Sequence, residues 1–173
     1  MPSTFQKIAT VTVGSGGAAS IDFTSVPATY TDLVIKLSSR IGSSADRDGV
    51  LLTFNNTGSG YSFRRIFAYD SNSVAADSGS SQSYTQIGNT TANNATSNTF
   101  GSHEIYIPNY AGTFNKSIIT EATAENNSAS SWVVTLGGTL WSNTAAINRV
   151  TLTPLSSTFV QNSTATLYGI KNS

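Results

Sequence analysis

The sequence predicts an all-β protein, an antiparallel β-sandwich of about nine to eleven short strands with little or no helix. Three observations support this fold class. Apolar and polar residues alternate from end to end, the alternating runs are short, and Gly, Asn, Ser or Pro bounds each run. Alternation places the apolar side chains on one face of a strand. We expect a single jelly-roll-like domain over residues 1–173, with a closed barrel as the alternative.

The first two alternating runs flank a glycine-rich segment. Residues 9–13 alternate between apolar residues and Thr, residues 19–23 alternate again, and Gly14 to Gly17 lie between them. Two such runs around a Gly-rich link predict a β-hairpin. The next two strands are predicted around residues 33–37 and 50–54.

Residues 61–69 predict a strand with an aromatic face. Arg65 shares that face with Tyr61, Phe63, Phe67 and Tyr69, so we expect a bulge, a paired arginine or an interface there. Residues 70–101 are mostly Ser, Asn, Thr, Ala and Gly, which predicts a long polar loop with one short strand at 84–87. Long connections of this kind are uncommon in compact domains and are often functional.

Five further strands are predicted in the remainder of the chain, each rich in β-branched or aromatic residues. They cover residues 104–107, 116–124, 132–140, 147–152 and 164–170. In the second of them, Ile118, Ile119 and Ala122 also share helical spacing, but the β-branched content favours a strand.

The composition limits the classes of partner. Charged residues make up 10% of the chain, against about 25% in a typical soluble domain. Ser, Thr and Asn together account for 66 of the 173 residues, while 38% of residues are hydrophobic, as a folded domain requires. No cluster of Lys or Arg is present to bind nucleic acid or an anionic membrane surface, so we expect neither partner.

The sequence also limits the compartment. It contains no cysteine, so a disulfide framework and a thiolate metal site are excluded. The N-terminal segment MPSTFQKIAT lacks the apolar region of a signal peptide, and no apolar stretch approaches the ~20 residues of a membrane span.

Few residues suggest chemistry, and we expect neither an enzyme nor a bound cofactor or metal ion. His103 is the single histidine, and no Gly-x-Ser-x-Gly nucleophile motif accompanies it. Glu121 and Glu125 share a strand face but lie some 13 Å apart at ~3.3 Å per residue, too widely spaced along that strand for a carboxylate pair. The segment Asp46-Arg47-Asp48-Gly49 resembles a fragment of a calcium loop, although a β-turn is the better interpretation.

Aromatic residues near loops are the candidates for ligand contacts. Tyr84, Tyr110 and Trp141 lie in or near predicted loops, where they could contact a glycan or a partner protein. The alternative for each is an anchor that holds a strand end to the core. Residues 1–5, which end in the aromatic Phe5, form a candidate arm for docking on a neighbouring chain.

Several segments resemble a family of small structural proteins of tailed bacteriophages, including marine phages and cyanophages. The segments are IATVTVGSGGAASIDF, LLTFNNTGSGY, EIYIPNYAGTFNK, LWSNTAAINRVTLTP and the ending LYGI. The resemblance implies a virion component with a jelly-roll-like fold, often a homotrimer.

Such a protein would be assembled in the bacterial host cytoplasm and would lie on the virion surface. The first hypothesis is a capsid decoration (cement) protein that binds the major capsid protein or other virion proteins. The alternative is a tail-fibre or baseplate module that binds host glycans.

Overall fold

A computed structural model describes residues 4–70, 73–128 and 131–171 of the chain. Twelve strands form in these residues, and no helix capable of crossing a membrane occurs among them. In chain order the strands are β1 (Phe5–Thr12), β2 (Ile21–Phe23), β3 (Asp32–Ile41), β4 (Arg47–Phe54), β5 (Tyr61–Tyr69), β6 (Ser73–Gln82), β7 (Thr85–Ala92), β8 (Gly101–Ile107), β9 (Lys116–Ala124), β10 (Val133–Trp141), β11 (Val150–Pro154) and β12 (Thr164–Ile170). The predicted all-β, sandwich-like class is confirmed, with slightly more strands than expected.

The strands form two layers that share one strand. Eight of them form a wide antiparallel sheet in the order β1-β12-β3-β8-β9-β10-β5-β6. Four form a narrow sheet in the order β2-β11-β4-β7. The last residues of β3, Arg40 and Ile41, pair in parallel with β7, so β3 carries hydrogen bonds of both sheets.

The core lies between the two layers, where the alternating apolar positions of the strands meet. An aromatic cluster fills one end of it. The Trp141 ring lies 5.3 Å from the Phe54 ring and 6.3 Å from the Tyr61 ring, centroid to centroid. All three residues are completely buried, and the Phe54 N–H donates to the Tyr61 hydroxyl at 2.7 Å. This hydrogen bond gives the buried Tyr61 hydroxyl a partner within the core.

The two layers approach each other closely at Gly88 on β7. This residue has a φ of +128°, which favours glycine, and a Cβ at this position would lie 2.4 Å from the Cβ of Ala122 on β9. A register shift in the β4–β7 pairing lies beside it, between Val50 and Leu51. The glycine therefore sets how tightly β7 packs on the wide sheet.

The hairpin predicted for the first two runs is wrong. β1 pairs with β12 at the edge of the wide sheet, and β2 pairs with β11 in the narrow sheet. The glycine-rich link turns at Gly17, whose N–H donates to the Gly14 carbonyl, and it carries the chain from one layer to the other. Alternation identified the two strands correctly but carried no information about which strands they pair with.

The long polar loop predicted for residues 70–101 is also wrong. Most of this segment forms β6 and β7. β6 was not predicted because it is an edge strand, exposed along most of its length, and its sequence shows no alternation of apolar residues. The short strand predicted at 84–87 is the beginning of the longer β7.

Other predictions about individual strands are confirmed. Residues 61–69, 116–124 and 164–170 are strands with the predicted bounds. Arg65 is paired: its guanidinium donates to both carboxylate oxygens of Asp77 on β6. Of the three alternatives for Arg65, the structure shows the paired arginine; Arg65 itself lies in regular register, and the register shift of this strand pair lies between Tyr61 and Phe63.

Candidate interaction surface

The outer face of the wide sheet, which points away from the narrow sheet, is apolar over its β9-β10-β5-β6 half. On β10 the odd-numbered residues from Val133 to Trp141 are buried, so the even-numbered ones face outward. Of these, Val134 is 52% exposed and Leu136 is 47% exposed. Within the described part of the chain, no layer covers this half of the sheet.

Neighbouring strands extend the same surface. Strand pairing places Leu136 opposite Ile66 on β5, and Ala68 opposite Val74 on β6. We call the following residues the apolar patch: Ile66, Val74, Ile119, Val134, Leu136 and Leu140, each between 37% and 77% exposed. Single exposed apolar residues are ordinary, but a contiguous patch of six marks a surface that binds protein or membrane.

The other half of the same face is polar in its central rows and carries the aromatic residues Tyr106, Tyr168 and Phe5 towards its edge. One row of paired residues crosses the sheet from Lys36 on β3 through Glu104 on β8 and Glu121 on β9 to Leu136. Lys36 forms an ion pair with Glu104. The boundary between polar and apolar halves therefore runs along β9.

Two unpaired charges of opposite sign flank the apolar patch. Arg64 on β5 is exposed and donates only to backbone carbonyls, to that of Phe63 at 2.7 Å and that of Gly79 at 3.4 Å. Glu121 on β9 is exposed and lies opposite another carboxylate, Glu104. Neither Arg64 nor Glu121 forms an ion pair with any of the described residues.

A hollow lies at the centre of the apolar patch. Gly138 faces outward between Ile119 and Arg64, and a Cβ built on it would meet no atom within 4 Å. An open groove of about 590 Å³ passes beside it, lined by Ile66, Ile119 and Leu136 among others. A broad, shallow apolar surface of this kind suits the side chains of another protein better than an enclosed small ligand.

The long edge strand β6 borders the patch. Its ten residues pair on one side with β5 and contain neither Lys nor Pro, the residues that commonly protect an edge from pairing with another chain. The ion pair between Arg65 and Asp77 fixes β6 to the sheet. The edge and the patch together form one continuous side of the molecule.

Two of the three aromatic candidates lie in the core. Tyr110 and Trp141 are completely buried, so their rings are not available to a glycan or a partner at the surface. The Tyr110 hydroxyl donates to the Pro27 carbonyl and accepts from the Tyr30 N–H at 3.4 Å. The alternative interpretation, an anchor at a strand end, describes both residues. Sequence proximity to a loop did not distinguish them because strand ends are buried between the two layers.

Tyr84 and Phe5 are partly exposed. Tyr84 lies between β6 and β7 with 36% of its surface accessible, and it is the one aromatic candidate of the three that reaches the surface. Phe5 belongs to β1, pairs with Ile170 and packs its ring 4.8 Å from that of Tyr168. Residues 1–3 of the candidate docking arm lie outside the described residues.

His103 lies in the interior of the sandwich. It is 2% exposed, and neither ring nitrogen has a hydrogen-bond partner among the described residues. Burial lowers the pKa of His103 from 6.5 to about 4. No hydroxyl or carboxylate of the described residues is bonded to His103 as a catalytic triad would require.

The segment from Asp46 to Gly49 is not a β-turn, because Arg47, Asp48 and Gly49 begin β4. Its carboxylates are engaged in internal bonds: Asp46 accepts from the Ser131 hydroxyl at 2.7 Å, and Asp48 accepts from the Ser156 hydroxyl. The described residues contain no group of three His, Cys, Asp or Glu side chains arranged to hold a metal ion.

Sequence reasoning missed the apolar patch, although a signal for it exists. In β10 the large apolar residues Val134, Leu136 and Leu140 occupy the exposed even positions, while Thr135 and Thr139 occupy buried odd positions. In β5, Ile66 and Ala68 lie between the aromatic residues of the inner face, so that strand is apolar on both faces. Apolar residues at outward positions of two neighbouring strands predict a sheet face that another layer or another protein covers.

The described surface thus offers an apolar interface and no constellation of reactive groups. Comparison with known proteins adds no relative: the chain matches neither a protein-family model nor a curated protein.

Proposed function

We propose that this protein is a non-enzymatic structural protein that acts by packing against other protein chains through the apolar patch. The observation that carries the proposal is the exposure of six large apolar side chains on one half of a sheet face whose other half is polar in its central rows. An apolar area of this kind lowers the free energy of association when a partner removes it from water.

The setting that we propose is the surface of a bacteriophage virion, where the chain decorates the capsid. The resemblance of its sequence segments to small phage structural proteins supports this setting. The composition agrees with it, since a formal net charge of 0 and many Ser, Thr and Asn residues suit binding by apolar contacts and neutral hydrogen bonds.

Electron cryomicroscopy of purified particles tests the setting. Many copies of the chain arrayed on the icosahedral shell are the expected result. A few copies confined to the tail would instead support the tail-fibre or baseplate alternative and would make Tyr84 the next residue to substitute. Absence of the chain from the particles would refute the virion proposal.

A matched pair of variants tests the patch itself. Val134 and Ser38 lie in the same row of paired residues across the wide sheet, Val134 within the apolar patch and Ser38 on the polar half. Both side chains are exposed, so an Arg at either position is tolerated by the fold. We expect Val134→Arg to lose occupancy on particles in competition with the wild-type chain, and Ser38→Arg to keep it. Equal occupancy of the two variants would refute a role of the patch.

A further inference from the structure

We infer that the partner bound by the apolar patch is a second copy of this chain, related by a two-fold axis that lies in the interface along β10. The inference rests on the proposal that the patch is a protein interface, and it names the occupant. Three features of the surface support a self-complementary contact: the position of its charges, the hollow at its centre and the absence of net charge.

The charges flank β10 on opposite sides. Arg64 on β5 is opposite Gly138, and Glu121 on β9 is opposite Leu136. A two-fold axis along β10 exchanges the two flanking strands, so β5 of one copy lies over β9 of the other. Arg64 then lies over the partner's Ile119, one outward-facing position from the partner's Glu121. Successive outward positions are about 6.5 Å apart along a strand, a gap that the long Arg side chain spans.

The two-fold axis makes each charge pair occur twice. The unpaired guanidinium of each copy meets the unpaired carboxylate of the other, at the border of an apolar contact that excludes water. The same contact gives Glu121 an opposite charge, which offsets the repulsion from its like-charged neighbour Glu104. A patch that carries both halves of its own ion pair is suited to an isologous contact, in which one surface binds itself.

The hollow and the absence of net charge also favour the association of two copies. Because the axis runs along β10, Gly138 of one copy faces Gly138 of the other, and the open space at this position lets the two faces approach at their centre without a clash. A formal net charge of 0 means that two copies approach without long-range repulsion. A homotrimer, which the sequence resemblance implies, would need two different surfaces that fit each other, whereas this patch needs only itself.

Sedimentation velocity of the purified chain over a wide concentration range tests the inference. We expect the wild-type chain to show a monomer–dimer equilibrium. Arg64→Glu and Glu121→Arg each place two like-charge contacts in the dimer, so each should raise the dimer Kd about tenfold or more. The double variant Arg64→Glu/Glu121→Arg restores opposite charges and should return the Kd to within about threefold of the wild-type value.

A substitution at the hollow provides a second test. Gly138→Trp fills the centre of the patch from a position where the fold has open space, and we expect it to abolish the dimer. Thermal melting of each variant as a monomer should match that of the wild-type chain, because residues 64, 121 and 138 are exposed. A monomer at every concentration, a trimer, or a double variant no better than the single ones would overturn the inference.

The outcomes separate this inference from the proposed function. A chain that is monomeric in solution yet decorates particles would overturn the two-fold pairing and leave the structural role standing. A dimer that shows the charge-swap rescue but is absent from particles would support the pairing and overturn the virion proposal.

Discussion

His103 packs against Gly88 across the interior of the sandwich, its Cδ2 3.7 Å from where a Cβ of residue 88 would lie. Leu37 on β3 and Ala122 on β9 are its partners in the wide sheet, so the ring is enclosed by small and apolar groups. Among the described residues, no carboxylate bonds to either ring nitrogen to stabilise an imidazolium ion. The histidine is therefore held in its neutral form.

This enclosure predicts an acid-sensitive fold. Because the pKa of His103 is lowered to about 4 in the folded chain and is 6.5 when exposed, the unfolded chain binds the additional proton between these values. The free energy of unfolding should therefore fall by about 3 kcal/mol as the pH drops from 6.5 to 4, and this contribution should level off as the pH falls below the folded pKa. Urea unfolding at a series of pH values measures it.

His103→Leu is the control for that prediction. The variant lacks the titrating group, so its stability should change little between pH 6.5 and 4. Asp22 and Asp70, whose pKa values hydrogen bonds and arginine pairing hold below 3.8 despite partial burial, lose their stabilising charge only at lower pH. Equal losses in the wild-type chain and in His103→Leu would contradict the assignment.

Arg40 organises the segment between β7 and β8. Its buried guanidinium donates to the backbone carbonyls of residues 93, 95, 96 and 99 at 2.9–3.3 Å. Arg40→Lys keeps the charge but removes the planar set of donors, so we expect a loss of about 2 kcal/mol of stability and faster proteolysis within residues 93–100. Exposed Arg64, substituted in the same way, should change neither quantity; a similar response of both variants would refute this role.

Lys116 is a buried cation that holds together the loop between β8 and β9 and the loop between β10 and β11. Its Nζ donates to the carbonyls of Gly112 at 2.8 Å and Ala145 at 2.6 Å, and it lies 5.7 Å from the centroid of the Trp141 ring. Lys116→Met keeps the aliphatic chain but leaves these carbonyls without a donor, which should cost about 3 kcal/mol. The comparison is Lys7→Met at an exposed position of β1, for which urea unfolding should show almost no change.

Gly169, in the LYGI ending, is required by the ring of Tyr30. A Cβ at residue 169 would lie 2.3–2.5 Å from three ring atoms of Tyr30. Gly169→Ala should displace the ring and destabilise the fold by about 2 kcal/mol, measured by thermal or urea unfolding. In a Tyr30→Ala background the same substitution should cost much less, and Gly138→Ala, where the added Cβ meets open space, serves as the neutral control. An unchanged cost in the Tyr30→Ala background would show that the ring is not the cause.

Local patterns in the sequence identified most strands because burial on one face leaves an alternating signature. β12 alternates, β9 was identified by its β-branched content, and both were predicted with their observed bounds. β6 carries no such signature, because its side chains are mostly exposed on both faces. The pairing of β1 and β2 was mispredicted because the choice of a partner depends on contacts more than 100 residues away, with β12 and β11.

The apolar patch could not be predicted from local sequence patterns for a similar reason. Leu136 and Ile66 are 70 residues apart in the chain, and only the pairing of β10 with β5 makes them neighbours. Trp141 and Tyr110 seemed accessible from their place near loops, but the sandwich buries the ends of its strands. Distinguishing an outward from an inward aromatic residue required the position of the second layer.

The sharing of β3 has a mechanical consequence. A load applied to either layer reaches the other through the covalent backbone of one strand, whose residues 32–39 belong to the wide sheet and whose last two residues pair with the narrow one. Where β3 joins the two sheets, the molecule should therefore resist shear between the layers. At the far margin, where β6 is exposed along most of its length, bending is opposed by a single layer, so compliance should increase from β3 towards β6.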